Sequence, residues 1–195
     1  MTKTMPPTIQ IVRYKSAWPS EFEKIATRLR AGLGHLALRI DHIGSTSVPG
    51  LDAKDVIDVQ ITVTALDAPV AAAMRALGYR RSSTISRDHR PPAADGPAAD
   101  WQKWFFVAPP KHRRTNTHMR VQGRANQRYP LLFRDYLRAQ PKTAAAYARL
   151  KRLLAKNLSD LDTYPDVKDP GCDLIYFAAQ DWAARTHWQP GPSDG

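Results

Sequence analysis

The chain has 195 residues, 43% of them apolar and 24% charged, values that suit one large domain or two small ones and exclude wholesale disorder. No window approaches about eighteen uninterrupted apolar residues, which excludes a membrane-spanning helix, and the single cysteine, Cys172, excludes an internal disulfide or a multi-cysteine zinc site. Twenty-nine Lys and Arg against eighteen Asp and Glu give a formal charge of +11, which favours phosphate-bearing partners such as nucleotides or nucleic acid.

The first fifteen residues lack an apolar signal core and read as the start of a cytoplasmic chain. Residues 8–15 alternate as a short strand. Pro19 and Ser20 then open a helix with Phe22, Ile25, Ala26, Leu29 and Leu33 at helical spacing and Gly34 as its stop. Residues 35–44 read as a strand with Leu36, Leu38 and Ile40 on one face, running into the turn formers GSTSVPG. Residues 55–63 show the cleanest period of two. Ile57, Val59, Ile61 and Val63 form an apolar face, and Val56, Asp58, Gln60 and Thr62 a largely polar one. Asp67 caps a short helix ending at Gly78, and residues 79–82 suggest another strand. Residues 84–99 read as a long mobile loop of the kind that often serves as a functional lid. Residues 101–108 and 117–122 form a hairpin. Helices are predicted over 130–138, 143–158 and 172–188, the second with Ala144, Tyr147, Leu150, Leu154 and Leu158 on one side, before a frayed tail. Strands followed by C-terminal helices predict a single α+β domain.

Between Trp101 and Arg134 there is no acidic residue, while Lys103, Lys111, Arg113, Arg114, Arg120, Arg124, Arg128 and Arg134 are all cations. The run fits an anion pocket, a nucleic-acid surface or a solvated basic face. Trp101, Trp104, Phe105 and Phe106 interleave with it as a base-stacking platform would, although alternation puts half of them in the core.

The sharpest local signal is Gly44-Ser45 followed by Asp58 on an alternating strand. A small Gly-Ser turn lets backbone amides and a hydroxyl approach phosphates. A carboxylate on a rigid strand beside it can hold a magnesium ion. Position 60, on the same face, is Gln, so a two-metal arrangement is incomplete. The same residues also fit a structural turn and an Asp satisfied by a nearby Arg. His118 and Arg120 share a strand face. Arg120 can fork onto a phosphate and His118 can carry a proton, or both can line a polar sheet face and pair with Asp58 or Asp41. His42 orients the turn, and Cys172 reads as a buried small hydrophobe. Six scattered histidines give no zinc spacing.

The segment HIGSTSVPGLDAKDVIDVQITV closely resembles the signature of the GrpB family of the nucleotidyltransferase superfamily. IVRYKSAWPSEFEKI, with Tyr14 and Trp18, resembles the family's opening. RRTNTHMRV resembles its basic strand. YPLLFRDYLRAQPKTAAAYARLKRLLA and DVKDPGCDLIYFAAQDWA resemble its helical C-terminal region. The similarity runs from about Ile9 to Trp188. It departs at Lys54-Asp55, where the family often has Lys-Pro, and at His118-Met119-Arg120-Val121, where Arg120 replaces a second histidine. The resemblance implies a nucleotidyltransferase-like mixed sheet with packed helices and a C-terminal helical region. It also implies a pocket at Gly44, Ser45 and Asp58, and a family found alone and beside dephospho-CoA kinase.

The expected function is binding of a nucleotide or similar phosphorylated ligand, with nucleotidyl transfer to a small-molecule acceptor. Gly44, Ser45, Thr46, Ser47, Lys54, Gln60, Lys103 and Arg114 form the expected ligand-binding set, Asp58 holds Mg²⁺, and Asp58, His118 and Arg120 carry the chemistry. The alternatives are a non-catalytic accessory module, which the missing carboxylates favour, and an RNA-binding domain using the basic hairpin.

Overall fold

The alternating run becomes strand β2 (Ile57–Val63), and its two faces organise the protein. A computed structural model describes residues 9–92 and 94–195. Among them five strands form one mixed sheet: β1 (Arg39–Ile43), β2, β3 (Arg80–Arg81), β4 (Trp104–Val107) and β5 (Thr115–Val121), in the order β1-β2-β5-β4-β3. β2 and β5 run parallel, and the other neighbours are antiparallel. Parallel pairing needs a crossover, supplied by α2 (Ala68–Ala76), β3 and β4.

Ile57, Val59, Ile61 and Val63 are fully buried. They lie in one core with Trp18, Phe22, Ala26, Leu29 and Leu33 of α1 (Trp18–Leu33) and with Val70 and Met74 of α2. Helical spacing in α1 and strand alternation in β2 meet as two apolar surfaces. Asp67 caps α2 by accepting from the Val70 amide at 3.2 Å. β1 is shorter than the predicted strand and follows a 3₁₀ turn at Gly34–Leu36, so Leu38 is exposed rather than inward-facing.

Alternation predicts that the second face of β2 is largely polar. It is polar but covered, with Gln60 and Thr62 fully buried. Helix α3 (Ala125–Ala139) packs on β1 and β5 there, and α4 (Pro141–Asn157) and α5 (Tyr164–Thr186) pack on α3. Both α3 and α5 begin well before the predicted starts. Proline normally marks a first turn, yet Pro130 and Pro170 lie inside these helices. In α4 the buried residues are Ala144, Tyr147, Ala148 and Lys151, a stripe rotated from the predicted one.

The two ends of the chain also differ from expectation. Residues 9–15 contribute one isolated bridge, Val12 to Ala53, instead of a strand, and Thr8 lies outside the described residues. Residues 191–195, predicted to fray, are pinned along β1. Ser193 Oγ donates to the Ile40 carbonyl and accepts from its amide, both at 2.9 Å, and Asp194 Oδ2 accepts from the His42 amide at 2.9 Å. An edge strand presents unpaired backbone groups, and the tail satisfies them. No helix among the described residues is long and apolar enough to cross a membrane.

Candidate functional site

A cleft of about 630 Å³ opens between the polar sheet face and the three C-terminal helices. Its lining includes Gly44, Ser45, Lys54, Asp58, Lys103, Arg114, His118 and Arg120 from the predicted set. Thr46, Ser47 and Gln60 do not line it.

The Gly-Ser turn is built around Asp58. Gly44 has φ +70° and ψ −172°, a region that is essentially glycine's alone. A Cβ there would collide with Asp58 Oδ2. Asp58 Oδ1 accepts from Asn116 Nδ2 at 2.8 Å, its register partner on β5. Burial pushes the Asp58 pKa up, and Asn116 and Arg120 only partly oppose it. Thr46 and Ser47 act behind the turn. Ser47 Oγ donates to the Gly44 carbonyl at 2.6 Å, and Thr46 Oγ1 lies 2.9 Å from His42 Nε2. The His42 ring stacks on Phe22 at 4.7 Å. Burial, then Arg138 and Arg134, push its pKa down to about 3, so a neutral ring orients the turn.

Ser45 faces the cleft and receives Lys151, which sequence reasoning missed. Lys151 Nζ donates to Ser45 Oγ at 2.8 Å and to the Asp52 carbonyl at 2.6 Å. Burial, then the Lys168 charge, lower its pKa to about 7. A lysine on the buried stripe of a C-terminal helix was the available signal, since lysine is seldom fully buried without a role.

His118 and Arg120 share the face of Asp58, as the register of β2 and β5 requires. Arg120 is nevertheless committed elsewhere. Its Nε and Nη2 close on both oxygens of Asp88, at 2.9 and 2.8 Å, and its Nη1 donates to Gln60 Oε1 at 2.8 Å. Lys103 Nζ and Asn126 Nδ2 also donate to Asp88, at 2.6 and 3.0 Å. Arg120 and Lys103 are therefore partners of a carboxylate that the sequence left in a mobile loop, not free phosphate ligands. Burial would raise the Asp88 pKa, but Arg120 and then Lys103 hold it well below the ordinary carboxylate range. His118, with Nδ1 3.4 Å from Arg120 Nη2, is kept neutral by burial and by the Arg120 charge. The next loop residue, His89, reaches α5, with Nε2 2.8 Å from Asp173 Oδ1.

Three cleft cations, Lys54, Arg114 and Lys151, have no ion-pair partner among the described residues. Lys54 Nζ sits 4.0 Å from the Tyr164 ring centroid. Lys168 also lines the cleft, 3.1 Å from Asp169 Oδ1 and 3.2 Å from Cys172 Sγ. Arg113, a member of the same basic run, pairs with Glu21 and Asp55.

The donors do not fit a metal pair held by the protein. Asp58 offers one oxygen without a hydrogen bond among the described residues. The Gln60 carbonyl is taken by Arg120, and its amide donates to the Gln127 carbonyl at 3.0 Å. No cluster of three His, Cys, Asp or Glu able to hold a metal occurs among the described residues. Hard divalent cations need several oxygen ligands, and cations crowd this carboxylate instead.

The GrpB protein family matches residues 8–177. The chain is 38% identical over 197 residues to a dephospho-CoA kinase of Mycolicibacterium paratuberculosis, covering 93% of this chain and 48% of that protein. It is 34% identical over 165 residues to a UPF0157 protein of Halalkalibacterium halodurans, covering 83% and 77%. The chain thus spans about half the length of the dephospho-CoA kinases it matches. A crystal structure of the conserved protein GrpB from Enterococcus faecalis superposes with a TM-score of 0.69 at 27% identity, covering 92% of this chain and 100% of that one.

Proposed function

The chain belongs to the GrpB family, and from that membership we propose that it binds a nucleotide or similar small phosphorylated molecule in this cleft and transfers a nucleotidyl group from it to a small acceptor. One observation carries the reading: Lys54, Arg114 and Lys151, without acidic partners, converge on a cleft floored by the Gly44-Ser45 turn. Unneutralised cations in a partly desolvated site attract multiply charged anions. The amides of the Gly44-Ser45 turn face the phosphates, and Lys54 and Arg114 neutralise charge as the bond to the leaving phosphate lengthens. Asp58 Oδ2 takes the proton of the attacking acceptor, a task suited to a carboxylate whose pKa burial has raised.

That Asp58 alone among the cleft's described carboxylates has no ion-pair partner favours a second reading, a binding module without turnover. Calorimetric titration with each nucleoside triphosphate, followed by assay for pyrophosphate release with candidate acceptors, tests both. Saturable binding with release supports transfer. Binding without release supports the module. Binding of generic RNA with no response to any nucleotide defeats both.

A further inference from the structure

Ser45 and Lys151 stand 106 positions apart in sequence and meet through one hydrogen bond of 2.8 Å. Lys151 is 4% exposed, and both of its hydrogen-bond partners are neutral, the Ser45 hydroxyl and the Asp52 carbonyl at 2.6 Å. An ammonium would donate to both. A neutral amine would donate to the carbonyl and present its lone pair to the hydroxyl, with the same heavy-atom positions. The pair is thus arranged for the serine proton to move to nitrogen without any side chain moving.

The surroundings act on that proton from every side. Lys168 on α5 repels the ammonium and, after burial itself, most favours the neutral amine. Asp52, Asp58 and Cys172 favour the ammonium, as does the Tyr147 ring with its centroid 4.7 Å from Nζ. The balance brings the Lys151 pKa to about 7, so both forms are populated near neutrality. A base poised there is suited to activating a hydroxyl.

We propose that Ser45 is a nucleophile, with Lys151 as its base, that takes a phosphorus-centred group from a phosphoester or phosphoanhydride bound in the cleft. The Ser45 Oγ–P bond forms as the P–O bond to the leaving group breaks. The leaving group departs with the bonding electron pair, and the serine proton passes to Lys151 Nζ. Lys54 and Arg114 face the negative oxygens of the transferred group. The product is a covalent phosphoserine or nucleotidyl-serine, from which an acceptor removes the group in a second displacement. Only the nature of the natural donor rests on the phosphorylated-ligand reading above, so the reactivity of the pair is testable without it.

The full chain is treated with diisopropyl fluorophosphate. The Ser45 Oγ–P bond forms, the P–F bond breaks, fluoride leaves, and Lys151 takes the proton. Intact mass and peptide mapping should find one adduct, on Ser45, formed at a rate that rises with pH through about 7 and then levels. Lys151→Arg keeps the charge and donors but cannot shed the proton, so it should slow labelling by ~100-fold or more. No Ser45 adduct on the folded protein, or an equal rate in folded Lys151→Arg, overturns the proposal. If that variant does not fold, the wild-type pH profile decides, and labelling that is flat from about pH 6 to about pH 9 overturns it. Pyrophosphate binding to the untreated protein is measured alongside by calorimetry. Labelling without binding sinks only the phosphorylated-ligand reading, and binding without labelling sinks only this one.

Discussion

The guanidinium of Arg120 closes on both carboxylate oxygens of Asp88, at 2.9 and 2.8 Å, and leaves Asp58 free. This pair fastens the loop after β3 to the middle strand of the sheet. Asp88→Ala strands Arg120 and Lys103, both buried, without their counter-charge. Removing one member of a buried ion cluster costs ~3–5 kcal/mol, so chemical denaturation should report a loss of that order. Arg120→Ala should cost a comparable amount, because it leaves Asp88 facing only Lys103 and Asn126. Its effect on anion binding should follow the loss of fold. A variant of unchanged stability with weakened anion binding would restore a direct ligand role to Arg120.

Gly44→Ala places a side chain at φ +70° and against Asp58 Oδ2. The backbone conformation alone costs ~1–3 kcal/mol, and Asp58 must also move. Stability should fall by at least that much, and pyrophosphate affinity with it. Gly50→Ala is the control: it also has positive φ, but a Cβ there meets nothing within 4 Å. It should carry a positive-φ cost of its own without the loss of binding.

Lys151 titrates at about 7 when the cleft is free, and a bound anion stabilises its charged form. Binding therefore takes up a proton above about pH 7. The affinity for sulfate, whose charge is constant over this range, should fall as pH rises from about 7 to about 9, by at most ~10-fold per unit. In Lys151→Met the slope should disappear and affinity at pH 6 should fall. The same lowered pKa means that the unfolded chain binds more protons than the folded one between about pH 7 and the ordinary lysine range. Stability from this group thus rises with pH across that window, and Lys151→Met should flatten the corresponding rise in Tm.

Asp58→Asn keeps an oxygen for Asn116 Nδ2 and removes a negative charge from a cationic cleft. The apolar face of β2 is untouched, so melting should be unchanged within about 1 kcal/mol. Anion affinity should hold or rise. Nucleotidyl transfer should fall ~100-fold or more if Asp58 is the base. Transfer equal to wild type, assayed with and without Mg²⁺, would remove both the base role and the metal role.

The apolar face of β2, the amphipathic α1, the capped α2 and the shared sheet face of Asp58, His118 and Arg120 were all legible in the sequence. These features depend on periodicity within one element, or on two strands lying side by side, and neighbouring residues carry that information. Helix starts were misread where Pro130 and Pro170 sit inside α3 and α5, because tertiary packing outweighs the local preference of proline. The choice of partners could be decided only by the folded chain. Asp88 reaches Arg120 from a loop 32 positions away, and Lys151 reaches Ser45 from a helix 106 positions away. Charge pairing in a low-dielectric interior is set by which groups packing brings together and strips of water. That is why the sequence marked Arg120 as a cation facing the site, while burial beside Asp88 made it a strut and left Lys54, Arg114 and Lys151 facing the cleft.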